Sequence, residues 1–505
     1  MKKKNIRWAV LPVLLSLLTA LPISAKLVIP AYDAKVKASE DFQVLVRQQG
    51  GAWRQVPVFT WKVDYVSEAR HQVENSNVAA LSFDGQIEVA VISKRGTNPQ
   101  CRNIQEANEL CNSKRGASKQ WRVRPLSYSI PTTQHGDTLF FTLDRPRYLS
   151  VEVDGDLYHN LQLFADDTHI PVCRSAAEVA KAYKVKKRDV VFFSPGYHEL
   201  NDSLGVKSGQ IVYLAAGAYV KGWLSVYRAH NVRVVGNGIV NPERQHEGIM
   251  VHYSRDVTVD GLLTTQIPVG GSDSVAVRNA KVISWYSWGD GMNVFASNHI
   301  SYDHVFCRTS DDCSTIYCTR KDYHGGCRNI RVHDAVYWAD VAHPIMIGLH
   351  GDIEKNETIT DVVYDNIDIL QQNERQIDYQ GCIAINNGDN ILVDGLTFSN
   401  IRIEDISLGN LFNFRVCYNK KYCHAPGRGI RNITLRNISY QGSHAGMSLI
   451  TGYDDSRTVA GIHFENFVFN GQKITDDMPG KPKWYKTSDF ANMFIGEHVS
   501  DVTFK

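Results

Sequence analysis

Three aspartates lie in a stretch of the chain that is otherwise rich in Val, Ile, Tyr and Phe. Asp290 stands alone, and Asp311 and Asp312 follow it 21 and 22 positions later. Carboxyl groups can protonate a leaving oxygen, activate a water molecule or bind a cation. If one repeat of the fold covers this distance, the three groups share one site, and their mutual repulsion raises at least one pKa.

Two alternative roles for these acids stay open. Aspartate often occupies the corner of a β-turn, where its side chain bonds to the backbone. That role suits Asp290, within WGDGMN, better than it suits the adjacent pair. The three acids together would also suit a calcium ion.

A loose unit of two or three short strands with polar corners recurs after residue 189. Repeats of about 20 to 50 residues are typical of solenoids, and short strands with Asn or Gly corners predict a parallel β-helix. A propeller, the alternative, needs antiparallel blades with hairpin turns, and hairpin dipeptides are scarce here. Residues one coil apart in a β-helix lie about 4.8 Å apart, so Asp290 should lie beside the pair. The units start at Asn231, Asp256, Ser274, His299, Asn329, Asp361, Asn390, Asn432 and Gly461.

The part of the chain before the repeat has a different pattern. Residues 26–170 contain short alternating segments separated by turn residues, which predict an antiparallel β-sandwich. Residues 171–188 form a linker with a helix, because Ser175 and Glu178 make a capping box, and this helix would close the end of the solenoid. Residues 189–505 then form the β-helix, which carries the three acids and is the expected catalytic domain. The fold class is all-β, a β-sandwich followed by a right-handed parallel β-helix.

Residues 1–25 have the pattern of a cleaved secretory signal peptide. Four basic residues precede a short apolar run that contains two prolines and ends in Ser24 and Ala25. A retained membrane anchor is the alternative, and no later stretch is apolar enough to span a bilayer. The protein is therefore expected to be exported, periplasmic or extracellular. Its formal charge of +2, from 55 basic and 53 acidic side chains, disfavours nucleic acid as a partner.

Ten cysteines in an exported protein favour disulfide bonds. The close pairs Cys101/Cys111, Cys318/Cys327 and Cys417/Cys423 would each staple a local loop. A metal site is the alternative, but no cysteine and histidine spacing is typical of metal ligands. We therefore expect no metal and no cofactor.

At its aspartates the chain resembles the inverting glycoside hydrolases of families 28 and 49, the polygalacturonase and dextranase clan. Family 28 has an Asn-Thr-Asp-Gly motif, then an Asp-Asp pair at the same spacing as in this chain, and then a Gly-His-Gly. Gly289-Asp290-Gly291 and Ser310-Asp311-Asp312-Cys313 match the first two, with Trp288 and Gly289 in place of Asn and Thr. His343 matches the third, although Ala342 and Pro344 replace the glycines.

The likeness to family 49 is broader, since it includes a sandwich before the β-helix, a P-I-x-x-G segment and a closing stretch at Asn470–Lys473. The resemblance implies that Asp311 is the general acid and that Asp290 and Asp312 hold the nucleophilic water. It also implies that Arg375 contacts the substrate. Pectin-cleaving members follow this Arg with Ile and Lys, where this chain has Gln376 and Ile377, so a neutral α-glycan is favoured and pectic galacturonan comes next.

Several other residues are candidates for the site. His343 could tune the acid through a hydrogen bond, or be a buried structural histidine. Trp288, next to Asp290, is the strongest candidate for stacking on a sugar ring. Tyr317 and His350 are candidate substrate contacts, with a structural role as the alternative.

The sequence as a whole predicts an exported inverting glycoside hydrolase that cleaves an α-linked polysaccharide. Inverting enzymes hold their carboxyl groups about 6.5 to 9.5 Å apart, and diverging side chains on adjacent coils can reach that range. A β-helical polysaccharide lyase that uses a cation is one alternative, and a non-catalytic glycan-binding β-helix is another. The sugar, the endo or exo mode and the oligomeric state are left open.

Overall fold

The computed structural model describes residues 26–67, 70–95 and 119–505. The predicted signal peptide of residues 1–25 and the pair Cys101/Cys111 lie outside the described residues. No helix in the described part of the chain is both long and apolar enough to cross a membrane.

The first part is a β-sandwich of a six-stranded and a five-stranded sheet. Alternation places every second side chain inside, as in the first long strand, where Phe42, Val44 and Val46 are buried. The strands are β1 (Leu27–Val28), β2 (Phe42–Gln48), β3 (Arg54–Val56), β4 (Val58–Ser67), β5 (Arg70–Phe83), β6 (Ile87–Ser93), β7 (Trp121–Arg124), β8 (Thr132–His135), β9 (Thr138–Leu143), β10 (Arg147–Val153) and β11 (Leu161–Asp166), with a 3₁₀ turn at Leu126–Tyr128. The six-stranded sheet contains β1, β4, β5, β7, β10 and β11, and the other sheet contains β2, β3, β6, β8 and β9.

A short helix, α1 (Ala176–Tyr183), follows the sandwich and packs on the first coils of the solenoid. The Ser175 hydroxyl accepts a hydrogen bond from the backbone N–H of Glu178 at 3.3 Å, and the Glu178 carboxylate accepts one from the N–H of Arg174 at 2.9 Å. These bonds satisfy free donors at the helix start. A 3₁₀ turn at Lys187–Asp189 leads into the solenoid.

The rest of the chain is one 28-stranded solenoid with parallel pairing from coil to coil, apart from the antiparallel pair β36–β37. Its first half contains β12 (Val190–Phe193), β13 (Gly196–Val206), β14 (Ile211–Leu214), β15 (Ala218–Tyr227), β16 (His230–Gly236), β17 (Ile239–Asn241), β18 (Ile249–His252), β19 (Arg255–Asp260), β20 (Leu263–Thr264), β21 (Val269–Gly270), β22 (Asp273–Arg278), β23 (Lys281–Ser284), β24 (Met292–Phe295), β25 (Asn298–Thr309) and β26 (Ser314–Tyr317). The second half contains β27 (Cys327–Ala339), β28 (Ile345–Gly348), β29 (Thr358–Gln371), β30 (Ile383–Asn387), β31 (Leu392–Ile403), β32 (Phe412–Val416), β33 (Gly429–Tyr440), β34 (Ser448–Thr451), β35 (Val459–Glu465), β36 (Phe467–Phe469), β37 (Gln472–Ile474), β38 (Met493–Ile495) and β39 (Val499–Phe504), with a 3₁₀ turn at Ile377–Tyr379 and α2 at Thr487–Phe490. The predicted β-sandwich followed by a parallel β-helix is confirmed.

The coils stack because equivalent apolar residues lie directly above one another. One inward column is fully buried and continues through nine coils. Removing these aliphatic side chains from water stabilises the fold by about 25 cal/mol per Å² of buried apolar surface. Its members are Val232, Val257, Val275, Ile300, Ile330, Val362, Leu396, Ile433 and Ile462.

The corners of the coils explain the polar residue that starts each predicted repeat. All nine predicted start residues have a left-handed backbone, from φ 54° at Asn231 to φ 69° at Gly461. Asn, Asp and Gly tolerate this conformation best. The repeat seen in the sequence is therefore the spacing of left-handed corners.

The sandwich packs against the side of the solenoid through an aromatic interface. Trp61 of β4 is buried, and its indole N–H donates to the carbonyl oxygen of Ile283 at 3.0 Å. Phe306 and Trp338 lie in the same buried cluster on the solenoid side. This contact fixes β4 and β5 close to the loop that follows β23.

The predicted disulfides Cys318/Cys327 and Cys417/Cys423 are wrong, because all eight described cysteines are buried free thiols. Cys327 Sγ donates to the carbonyl oxygen of Tyr317 at 3.2 Å, and Cys423 Sγ donates to that of Leu349 at 3.4 Å. Burial raises the pKa of the Cys327 thiol to about 12. These side chains fill the tightly packed coils as small apolar groups.

Candidate active site

The register of the coils brings the three aspartates together. Met292 of β24 pairs with Ser314 of β26. Asp290 and Asp312 each lie two positions before these partners, so the two acids are level on adjacent coils. The backbone N–H of Gly291 donates to the carbonyl oxygen of Asp312 at 2.9 Å. One coil of the solenoid thus separates the acids, as the spacing predicts.

One oxygen from each of Asp290, Asp311 and Asp312 lies within 4.8 Å of the others. Asp312 is buried, whereas Asp290 and Asp311 are partly exposed. Carboxyl groups on either side of a water molecule are expected to lie about 6.5 to 9.5 Å apart. The nearest oxygen atoms are closer together than this range of carboxyl separations, so they do not by themselves indicate an inverting arrangement.

Asp290 is held by amide side chains on its own and the preceding coil. Its Oδ2 accepts hydrogen bonds from Asn293 Nδ2 at 3.0 Å and from Gln266 Nε2 at 3.4 Å. Burial, followed by the charge of Asp312, raises the pKa of Asp290 to about 7. This carboxyl group therefore changes its charge near neutral pH.

Asp311 also has a raised pKa. Burial and the charges of Asp290, Asp312 and Glu374 raise its pKa well above the ordinary value. Its Oδ1 accepts the backbone N–H of Asp312 at 3.0 Å, a bond that favours the charged form but does not outweigh these effects. A carboxylic acid with a raised pKa keeps its proton to higher pH and can act as a proton donor.

Asp312 is fixed by His343 and Tyr317. Its Oδ1 lies 2.7 Å from His343 Nδ1 and accepts the His343 backbone N–H at 3.1 Å, and its Oδ2 accepts the Tyr317 hydroxyl at 3.1 Å. His343 Nε2 contacts the carbonyl oxygen of Tyr379. Burial opposes protonation of His343, but the charge of Asp312 raises its pKa above the ordinary value. Both ring nitrogens face oxygen acceptors, so the imidazolium form suits this position.

His343 therefore bonds to Asp312 and not to Asp311. It is fully buried, and Tyr379 packs perpendicular to its ring at 4.6 Å. Its place in the structure is that of a positioning residue that holds one carboxylate from behind.

The predicted substrate contacts have different environments. The Trp288 side chain is 50% exposed and lies two residues before Asp290. Tyr317 is buried and bonds to Asp312, so the structure gives it a supporting position. His350 packs perpendicular to Tyr317 at 4.9 Å, and burial and the charge of Arg320 lower its pKa to about 3. Arg375 is exposed and donates from Nη2 to the carbonyl oxygen of Val66 in the sandwich at 3.2 Å.

Sequence reasoning missed Glu374, Asn293 and Gln266. Glu374 is 4% exposed, contributes to the raised pKa of Asp311 and accepts the backbone N–H of Gln376 at 2.6 Å. Gln266 could have been found, because it lies about one coil before Asp290. Glu374 could not, because the coils after Asp312 grow longer by unequal amounts.

Comparisons with known proteins found similar folds among solved structures. No family model and no curated protein sequence matches the chain. The structure is similar to Dex49A from Penicillium minioluteum, with a TM-score of 0.57 and 14% identity over 93% of this chain and 96% of that chain. It also aligns with a family 28 exopolygalacturonase from Yersinia enterocolitica, with a TM-score of 0.47 and 11% identity over 83% of this chain and 96% of that one. The resemblance to β-helical glycoside hydrolases of the polygalacturonase and dextranase clan is confirmed at the level of the fold.

Proposed function

We propose that this protein is a glycoside hydrolase that cleaves an α-linked polysaccharide. The observation that carries the proposal is the cluster of Asp290, Asp311 and Asp312, whose oxygens lie within 4.8 Å of one another. Burial and neighbouring charges favour the protonated form of Asp311, and Asp290, with a pKa of about 7, can take up a proton near neutral pH. The overall likeness to a dextranase fold, which includes the sandwich, supports the same reaction class.

Asp311 is the general acid in this proposal. Its proton passes to the glycosidic oxygen as the bond between that oxygen and the anomeric carbon breaks. A water molecule held by Asp290 and Asp312 attacks the anomeric carbon and gives up its proton to these carboxylates. Asp290, with a pKa of about 7, can accept this proton and release it to solvent near neutral pH.

Inversion at the anomeric carbon is the finer part of the proposal. It rests on the resemblance of the aspartate motifs to families 28 and 49, since the short distance between the nearest oxygens does not carry it. The anomer released in the first minutes of a reaction, followed by proton NMR, distinguishes inversion from retention. A product with the configuration of the substrate would overturn this part and leave hydrolysis intact.

A neutral α-glycan such as dextran is the favoured substrate, and pectic galacturonan comes next. Gln376 and Ile377 follow Arg375, and the Ile377 side chain is 83% exposed. Neither side chain offers the positive charge that would pair with a galacturonate carboxylate. We propose export across the cytoplasmic membrane from the pattern of residues 1–25.

A cation-dependent lyase is the second candidate, because three carboxylate oxygens within 4.8 Å could also hold a divalent cation. In a lyase the product carries a carbon–carbon double bond that absorbs ultraviolet light, and chelation abolishes the reaction. Release of plain reducing ends that persists in chelator would exclude this candidate.

A screen of purified protein for new reducing ends on dextran, pullulan, polygalacturonate, rhamnogalacturonan and sulfated glycans tests the proposal. The Asp311→Asn variant should lose turnover by about 100-fold or more and keep its stability, because the amide resembles the protonated, uncharged carboxyl group that burial favours at this position. A variant that keeps most of the wild-type rate would refute the role of Asp311. Binding of glycans without any product would favour the non-catalytic alternative.

A further inference from the structure

The hairpin formed by β4 and β5 of the sandwich reaches the candidate active site. Val66 and His71 are a cross-strand pair near the end of this hairpin. The carbonyl oxygen of Val66 accepts a hydrogen bond from Arg375 at 3.2 Å, and the His71 ring packs against Trp288 at 4.3 Å. One pair of hairpin residues thus contacts two segments of the solenoid.

These two segments carry the acids of the site. Trp288 lies two residues before Asp290, and Arg375 directly follows Glu374, whose charge helps to raise the pKa of Asp311. The end of the hairpin therefore lies beside both segments. A sugar bound next to the acids would meet this part of the sandwich.

His71 is itself held in place by a buried carboxylate. Asp64 is 2% exposed, and its Oδ2 lies 2.6 Å from His71 Nδ1. Burial raises the pKa of Asp64 to about 6, against the opposing effect of His71. The His71 ring is perpendicular to that of Trp288, with an angle of 84° between the planes. A fixed imidazole of this kind restricts the orientation of the indole beside it.

Trp288 needs such support, because its backbone is unusual. Ser287 and Trp288 both have left-handed backbones, with φ of 42° and 63°. Bulky residues rarely adopt this conformation, and surrounding structure must hold them in it. A second contact from the hairpin, Lys62 Nζ at 4.3 Å from the ring of Trp285, supports the same loop.

We propose that the sandwich hairpin completes a sugar-binding subsite next to the acids. Half-exposed Trp288 is the surface on which the ring of a neutral sugar stacks, and Arg375 donates hydrogen bonds to its hydroxyl groups. Asp64 and His71 are positioning residues that hold Trp288. This inference rests on the proposed function, and it makes the sandwich a part of the substrate site.

Interdomain adhesion alone is a weaker explanation of these contacts. Trp61 already joins the two parts from a fully packed position, with its bond to Ile283. The pair of His71 and Trp288 lies at the exposed rim, where both side chains remain accessible to a ligand. A structural role would not couple His71 to glycan affinity.

Affinity electrophoresis in gels containing dextran tests the subsite without requiring turnover. In an Asp311→Asn background, Trp288→Ala should weaken retardation about tenfold in apparent Kd, and His71→Ala about three- to tenfold. The double variant should be no weaker than Trp288→Ala alone, because both changes remove the same contact. His135→Ala is the matched control, since His135 contacts Phe140 at 5.8 Å in the other sheet of the sandwich.

The outcomes separate this inference from the proposed function. Additive effects of the His71 and Trp288 changes, or wild-type affinity of His71→Ala, would overturn the positioning role. Wild-type affinity of Trp288→Ala, or no retardation by dextran, pullulan or polygalacturonate, would overturn the subsite. If binding follows the prediction but the wild-type protein releases no product from any of the glycans, the subsite would be supported and hydrolysis refuted.

Discussion

Replacing Asp290 with Asn should make the protein more stable and inactive at the same time. The amide keeps an acceptor oxygen for Asn293 Nδ2 and Gln266 Nε2, which both donate to Oδ2 of the carboxyl group. It removes only the charge that burial and Asp312 disfavour. Without the carboxylate that accepts the proton of the attacking water, kcat should fall by about 100- to 10,000-fold.

The stability gain depends on pH in a defined direction. Folded Asp290 keeps its proton up to about pH 7, whereas the unfolded chain loses it near the ordinary pKa of 3.8. The folded wild type therefore binds more protons between these values and loses stability as the pH rises through this window. Above pH 7 the cost of the charge is complete, and near pH 4 it vanishes.

The magnitude follows from the pKa shift of Asp290 from 3.8 to about 7. Each pKa unit corresponds to about 1.36 kcal/mol, so the full cost is about 4 kcal/mol. Partial exposure of the carboxyl group reduces this to about 2 kcal/mol. An unfolding entropy of about 2.1 cal/mol/K per residue gives about 1 kcal/mol/K for this chain, so Tm should rise by about 2 °C at pH 8.

Calorimetric Tm values of wild type and Asp290→Asn at pH 4, 6 and 8 measure this effect. Asp454→Asn is a control of opposite sign, because hydrogen bonds from Ser456 lower the pKa of Asp454 to about 2. Its Tm should fall relative to wild type at pH 6 and 8. A Tm gain of Asp290→Asn that is equal at pH 4 and pH 8 would refute the raised pKa of Asp290.

Three further predictions follow from the same site. The hydrolytic rate should fall below about pH 7 as Asp290 takes up a proton, and a rate–pH profile that stays maximal at pH 5 would contradict its role as acceptor. Tyr317→Phe removes the bond to Asp312 Oδ2, so it should cost about 2 kcal/mol of unfolding free energy in urea titrations and lower kcat about tenfold. The control is Tyr440→Phe, because the Tyr440 hydroxyl accepts two backbone N–H groups far along the solenoid. This variant should lose stability but keep its kcat. An equal loss of kcat in both variants would argue against a specific role of Tyr317. Millimolar chelator should leave the release of reducing ends unchanged. A loss of activity in chelator would support the cation-dependent lyase.

Much of the fold follows from local chemistry and is therefore visible in the sequence. The nine predicted repeat starts are left-handed corners, because few residue types tolerate that backbone. The meeting of Asp290 with Asp311 and Asp312 follows in the same way, because one coil at this point spans the gap between them. The disulfide prediction failed because close spacing of cysteines along the chain does not determine whether two sulfur atoms come within bonding distance, and the eight described cysteines are buried free thiols.

The roles of individual side chains around the acids depended on distances that the repeat does not specify. The resemblance placed His343 near the acid, but whether it bonds to Asp311 or Asp312 depends on the direction of side chains within a few ångströms. Glu374 lies beyond coils of unequal length, so no spacing could assign it to the cluster.

The sequence by itself determined the solenoid and the position of its three acids. Hydrogen bonding places each coil directly above the one before, so the polar corner residues and the apolar strands recur once per coil along the chain. Only the tertiary structure decided that His71 and Val66 lie beside Trp288 and Arg375, which are remote from them along the chain. That contact depends on how the surface of the sandwich packs on the side of the solenoid. Complementary surfaces of this kind leave no periodic signal in the sequence.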